Sequence, residues 1–82
     1  MKNRQEIYET LVNILSKEFE LNRDSITMEV NLYQELGLDS IDAVDLIVRL
    51  QELVGKKIDP QTFKQVRTVA DVVSAIDDVI NR

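Results

Sequence analysis

Three stretches of the chain repeat their apolar residues at helical spacing, and no stretch alternates at strand spacing for long enough to require a sheet. Ile7, Leu11, Ile14, Leu15 and Phe19 form the first stripe. Asn3 lies three residues before Glu6 in a cap arrangement, so a helix is predicted over about 4–19. The second begins at Asp39 or Ser40 and runs to Gly55, a natural C-terminal stop. The last carries Val69, Val72, Val73, Ile76 and Ile80 behind a capping box of Thr68 and Asp71. Asp59-Pro60 opens a short helix that includes Phe63 and ends near Val66. Between Glu20 and Asp39 the pattern loosens into a long loop with a helical turn near Leu32–Leu36, pinned to the core by isolated aliphatics such as Ile26 and Val30. The predicted fold is all-α: a four-helix bundle of three longer helices and one short one.

A chain of 82 residues has room for one small core, so residues 1–82 are read as a single domain with little space for a buried cleft. There is no cysteine and no histidine, which removes disulfides, thiolate nucleophiles, Cys/His zinc sites and histidine bases. No metal site and no catalytic residue are expected. A loop Ca²⁺ site between Asn22 and Asn31 lacks the required glycine and terminal glutamate. No apolar run approaches the about 20 residues that cross a bilayer, and the N-terminus has no signal-peptide core, so a cytoplasmic location without membrane insertion is expected. The net charge of −5 disfavours nucleic acid and favours basic partners. Residues 18–52 carry −7, whereas residues 53–70 carry +3.

The second helix has more apolar residues than one face needs. At about 100° per residue, Ala43, Leu46, Ile47, Leu50, Leu53 and Val54 form a core sector, while Ile41, Val44 and Val48 point to the side roughly opposite. Asp45 and Glu52 edge that second stripe, with Asp42 a little further round. Either the helix is buried on two sides or the stripe is an apolar ridge for a basic partner. At its head, Ser40 is a preferred N-cap type, yet Asp39 with Asp42 can supply the cap and leave the Ser40 hydroxyl exposed in the first turn. Gly37 gives the turn its freedom, and Leu36 and Leu38 can anchor it. No base accompanies Ser40, and neither Lys56 nor Lys57 makes a Ser-Lys motif, so the hydroxyl is better suited to being modified by another enzyme than to catalysis.

The stretch "ELGLDSIDAVDLIVRL" resembles the signature of acyl carrier proteins, and the likeness continues through "LYQELG", "KKIDP" and "VRTVADV". The resemblance implies a non-enzymatic bundle that carries a 4′-phosphopantetheine arm on Ser40. A phosphopantetheinyl transferase would take the arm from coenzyme A, with Mg²⁺ on the transferase side, and the arm's thiol would hold acyl groups as thioesters. It also implies that Asp39, Ile41, Asp42, Val44, Asp45, Val48 and Glu52 dock acyl-loading and acyl-processing enzymes bearing basic patches, in fatty acid, lipid or polyketide-type biosynthesis. Leu46, Leu50, Phe63, Val72 and Ile76 become candidate lining residues for a sheltered acyl chain, with ordinary core packing as the alternative. A monomer is expected. The departures are Ile41 after the serine, Arg49 on the second helix, and the positive charges Lys56, Lys57, Lys64 and Arg67, which point to a specialised carrier. An aminoacyl or peptidyl carrier and an unmodified helical interaction module remain as alternatives.

Overall fold

The computed structural model describes residues 3–81 and places helices at Arg4–Glu18 (α1), Ser40–Val54 (α2), Pro60–Lys64 (α3) and Val69–Ile80 (α4). Each starts at a residue whose side chain accepts a first-turn N–H: Asn3 for α1, Asp39 for α2, Asp59 for α3 and Thr68 for α4. These caps satisfy donors that a helix cannot pair internally, so the polar punctuation of the sequence becomes the helix boundaries. Gly55 ends α2 in the left-handed conformation, as expected of a glycine stop. Glu20 does the same work after α1 at φ 56°, a conformation that costs a non-glycine residue on the order of 1 kcal/mol. It turns the chain so that the Leu21 N–H reaches the Leu15 carbonyl at 3.2 Å.

The long loop contains one 3₁₀ turn, Arg23–Ser25, that hydrophobic spacing does not reveal because none of its residues is buried. Elsewhere the loop is tied down. Ile26, Val30, Leu32 and Leu38 enter the core, and the Tyr8 hydroxyl donates to the Ile26 carbonyl at 3.1 Å. The Val69 and Ala70 N–H groups donate to the carbonyls of Val30 and Met28 at 3.1 and 2.8 Å, so the loop completes the first turn of α4. The Leu32 N–H donates to Arg67 at 2.8 Å, and Asn31 and Thr68 form an isolated antiparallel bridge. Among the described residues this bridge is the whole of the extended pairing.

The core joins Ile7, Leu11 and Leu15 of α1 with Leu46 and Leu50 of α2, Phe63 of α3, and Val69, Val72, Val73 and Ile76 of α4. Fully burying such apolar side chains contributes roughly 1.5–3 kcal/mol each. Arg4 crosses from α1 to α4, donating to Ser74 Oγ at 3.0 Å and lying 3.5 Å from Asp77. One predicted core residue of α2 is corrected: Leu53 is 56% exposed. It sits at the edge of the apolar sector in the last turn. The following chain folds back on the other side, where the Ile58 N–H donates to Gln51 Oε1 at 2.8 Å.

Asp71 accepts from the Thr68 and Arg67 N–H groups at 3.1 and 3.0 Å. The Thr68 backbone bond, then the Arg67 backbone bond, hold its carboxyl below the ordinary value of 3.8, against a smaller opposing effect of burial. The folded value is depressed, so this stabilisation is complete above the unfolded value and is lost as pH falls through the folded one. Asp71→Asn should therefore lower the urea midpoint at neutral pH, with the gap to wild type narrowing in acid. A gap that stays constant down to strongly acid pH would contradict this account.

Candidate functional site

The turn before α2 sets the position of Ser40. Asn31 Oδ1 accepts from the Tyr33 and Gln34 N–H groups at 2.9 Å each, and Glu35 reaches back to the Asn31 N–H at 3.0 Å. Gly37 then takes φ 74°, and the Leu38 N–H closes onto the Leu32 carbonyl at 3.0 Å while the Leu38 side chain enters the core. No atom would meet a β-carbon at Gly37, so glycine is favoured there by backbone conformation and not by space.

Asp39 arrives extended and caps α2 in a reciprocal box: Asp39 Oδ1 accepts from the Asp42 N–H at 2.9 Å, and Asp42 Oδ2 from the Asp39 N–H at 3.2 Å. The cap is thus aspartate, not serine. Ser40 is exposed in the first helical turn, and its hydroxyl has no hydrogen-bond partner among the described residues.

Ile41, Val44 and Val48 are 77%, 60% and 44% exposed, so the second stripe faces solvent and the doubly buried alternative does not hold. Ser40, Ile41, Val44, Asp45 and Val48 line one shallow surface groove. Asp39, Asp45 and Glu52 are exposed and Asp42 is half-buried, which edges the ridge with acids. Asp45 is not free, because Arg49 approaches it at 3.4 Å and reaches Glu18 of α1 at 3.1 Å. The first contact is the ordinary one-turn spacing of a helix and could be read from sequence; the second depends on how α1 and α2 pack.

On the other side of Ser40 lies a second, half-open groove of about 450 Å³ between α2 and α3, lined by Tyr33, Ser40, Ala43, Val44, Ile47, Phe63, Lys64 and Arg67. Of the five proposed lining residues, Phe63 reaches this groove; Leu46, Leu50, Val72 and Ile76 lie inside the packed core. Tyr33 lines it with no periodic signal to mark it, because the loop sets its position, and Ala43 and Ile47, placed in the core sector of α2 by spacing, line it from that helix. Among the positive charges, Lys56 turns to the C-terminal end of α4, 3.4 Å from the Val79 carbonyl and 3.5 Å from that of Ile80, where a cation is favoured. Lys57, Lys64 and Arg67 are exposed, with no ion pair among the described residues.

The family described as "Phosphopantetheine attachment site" matches residues 9–76. An acyl carrier protein 2 of Ralstonia nicotianae is 45% identical over 92% of this chain and 93% of its own length. The acyl carrier protein of Thermotoga maritima is 34% identical over 94% and 95%. A crystal structure of a Thermotoga maritima acyl carrier protein superposes with a TM-score of 0.83 over 95% of this chain and 91% of the other, at 23% identity, which speaks for the fold. The acyl carrier protein of Enterococcus faecalis gives a TM-score of 0.77 over 94% and 98%, at 25% identity. The Ser40 hydroxyl is exposed, without a hydrogen-bond partner among the described residues, and bordered by two grooves. The chain belongs to the acyl carrier protein family: it is a carrier and not an enzyme, and its cofactor is 4′-phosphopantetheine. Among the described residues no helix is long and apolar enough to cross a membrane, and no group of acidic side chains could hold a metal ion.

Because Asp39 supplies the cap, Ser40→Ala should leave the urea midpoint within experimental error of wild type. Asp39→Ala should cost about 1 kcal/mol by orphaning the Asp42 N–H. The reverse order of effects would make Ser40 the cap.

Proposed function

We propose that residues 1–82 act as one carrier domain in the cytoplasm, with the 4′-phosphopantetheine arm esterified to Ser40. The observation that carries this reading is the exposed, unbonded hydroxyl in the first turn of α2, within the segment that matches the family. When bound, the arm supplies a thiol that holds acyl groups as thioesters. The chain's own residues present the hydroxyl: Asn31 and Glu35 hold the turn, Gly37 reverses it, and the Asp39–Asp42 box takes the capping role that would otherwise engage Ser40. Incubation with coenzyme A and a promiscuous phosphopantetheinyl transferase should add one phosphopantetheine to the intact mass, and none to Ser40→Ala. An unchanged wild-type mass would falsify the assignment.

Partner enzymes dock, in this reading, on Ile41, Val44 and Val48, with Asp39, Asp42, Asp45 and Glu52 facing basic residues of the partner. The apolar ridge supports this, since exposed side chains on a surface helix gain most from a partner that covers them. The pathway served is a specialised acyl-transfer route in fatty acid, lipid or polyketide-type biosynthesis. Arg49 offsets Asp45, and Lys57, Lys64 and Arg67 make the α3 side positive, an arrangement that disfavours partners basic along their whole docking face. Loading by a general malonyl transferase should be poor for the arm-bearing wild type. It should rise when Lys57, Lys64 and Arg67 are reversed to glutamate, and fall with Val44→Asp. Efficient wild-type loading, indifferent to charge reversal, would rule out the specialised assignment.

A further inference from the structure

The Ser40 hydroxyl stands between two grooves of unequal charge, one edged by Asp45 with Arg49 against it and the other by two cations. Toward Ile41 and Val48 the surface carries Asp45, with Asp39 and Asp42 at the head of the same helix. Toward α3 the groove is walled by Lys64 and Arg67, with the Tyr33 ring beside them and Ala43, Val44, Ile47 and Phe63 as its apolar lining. Any group esterified to Ser40 through phosphate places a fixed negative charge between the two grooves. The capping acids Asp39 and Asp42 repel that charge, Asp45 is partly offset by Arg49, and the cations toward α3 attract it.

Both cations can respond. Lys64 Nζ has no hydrogen-bond partner among the described residues. Arg67 Nη1 donates to the Lys64 and Val66 carbonyls at 3.0 and 3.1 Å, which anchors the guanidinium at the end of α3 while its remaining N–H groups stay available to an anion. The Asp71 carboxyl also feels the Arg67 charge, but its Oδ2 accepts from the backbone N–H groups of Arg67 and Thr68 and it makes no ion pair with the guanidinium. Exposed charges bind a free anion weakly. A phosphodiester tethered to a residue of the same groove is held at high effective concentration, and weak attraction is then enough to choose a side.

We propose that Lys64 and Arg67 form a seat for the phosphodiester of the arm, so that the arm rests across the α2–α3 groove, which Val44 borders, and leaves Ile41 and Val48 of the ridge open for docking. The proposal rests on Ser40 as the point of attachment. The seat is electrostatic in origin, and the apolar lining of the groove receives whatever the phosphate brings over it.

The test uses the arm-bearing protein without cargo, in which the phosphodiester is the only anion added, with attachment at Ser40 established by intact mass and peptide mapping. Amide chemical shifts of the unmodified and arm-bearing forms are compared at low salt, at 1 M salt and in the Lys64→Gln/Arg67→Gln variant. The expected result is that attachment shifts Phe63, Lys64 and Arg67 more than Asp45 and Val48. That bias should fade at 1 M salt, where the Debye length falls to about 3 Å, and disappear in the variant. Lys64→Glu breaks no hydrogen bond of the fold and should by itself reduce the bias, which separates the seat from any loss of structure through Arg67. Equal shifts on both sides of Ser40, or a bias indifferent to salt and to both substitutions, would overturn the seat while leaving Ser40 as the attachment point. Absence of the arm from Ser40 would overturn both.

Discussion

The backbone of the long loop completes α4, and much of the molecule depends on that union. A helix leaves its first N–H groups without internal acceptors, and here the carbonyls of Val30 and Met28 supply them for Val69 and Ala70. The same stretch donates from Leu32 to Arg67. An irregular segment thereby becomes a fixed strut, with Ile26, Val30, Leu32 and Leu38 buried beneath it. Because the strut passes directly into the Gly37 turn, the start of α2 is positioned beside α3. The groove walled by Tyr33 on the loop and Phe63, Lys64 and Arg67 on the α3 side exists because of this tie.

Within that frame the reciprocal Asp39–Asp42 cap separates two demands that one serine could not meet together. A helix start requires an acceptor for its N3 N–H, and an attachment point requires a hydroxyl free of intramolecular bonds. Asp39 takes the first and leaves the Ser40 hydroxyl unbonded, as the proposed attachment there requires. The box also leaves negative charge at the head of α2, while the fold places Lys56 at the end of α4, Arg49 between Asp45 and Glu18, and Lys64 and Arg67 beside the groove. The electrostatic face differs from what a linear count of charges suggests, since Lys56 belongs to the fold and Asp45 is partly offset.

The helix starts were legible because their signals are local. Asn3, Asp39, Asp59 and Thr68 each cap through a side-chain bond to a residue two or three positions on, and spacing alone exposes such pairs. The separate direction of the Ile41, Val44 and Val48 stripe was legible for a related reason, as helical periodicity separates faces without reference to neighbours, whereas its exposure is decided by the packing. Leu53 was misplaced because periodicity assigns direction and not cover: the chain after Gly55 returns over Gln51, and nothing reaches the far edge of the last turn. The Arg23–Ser25 turn was missed because it buries nothing and so leaves no apolar pattern.

What the sequence determined by itself is the set of helices, their caps, the amphipathic double face of α2 and the one serine set in a glycine-containing turn before it. These follow from interactions among residues a few positions apart, whose geometry is nearly independent of the remainder of the chain. The tertiary structure alone decided which side of Ser40 is acidic and which is basic, that Arg49 spans α1 and α2, and that the space beside the serine is a groove whose lining includes Tyr33 and Phe63. Those features join residues distant in sequence. Their positions are settled by how the loop pairs with α4 and how the bundle closes around its core, which no local pattern encodes.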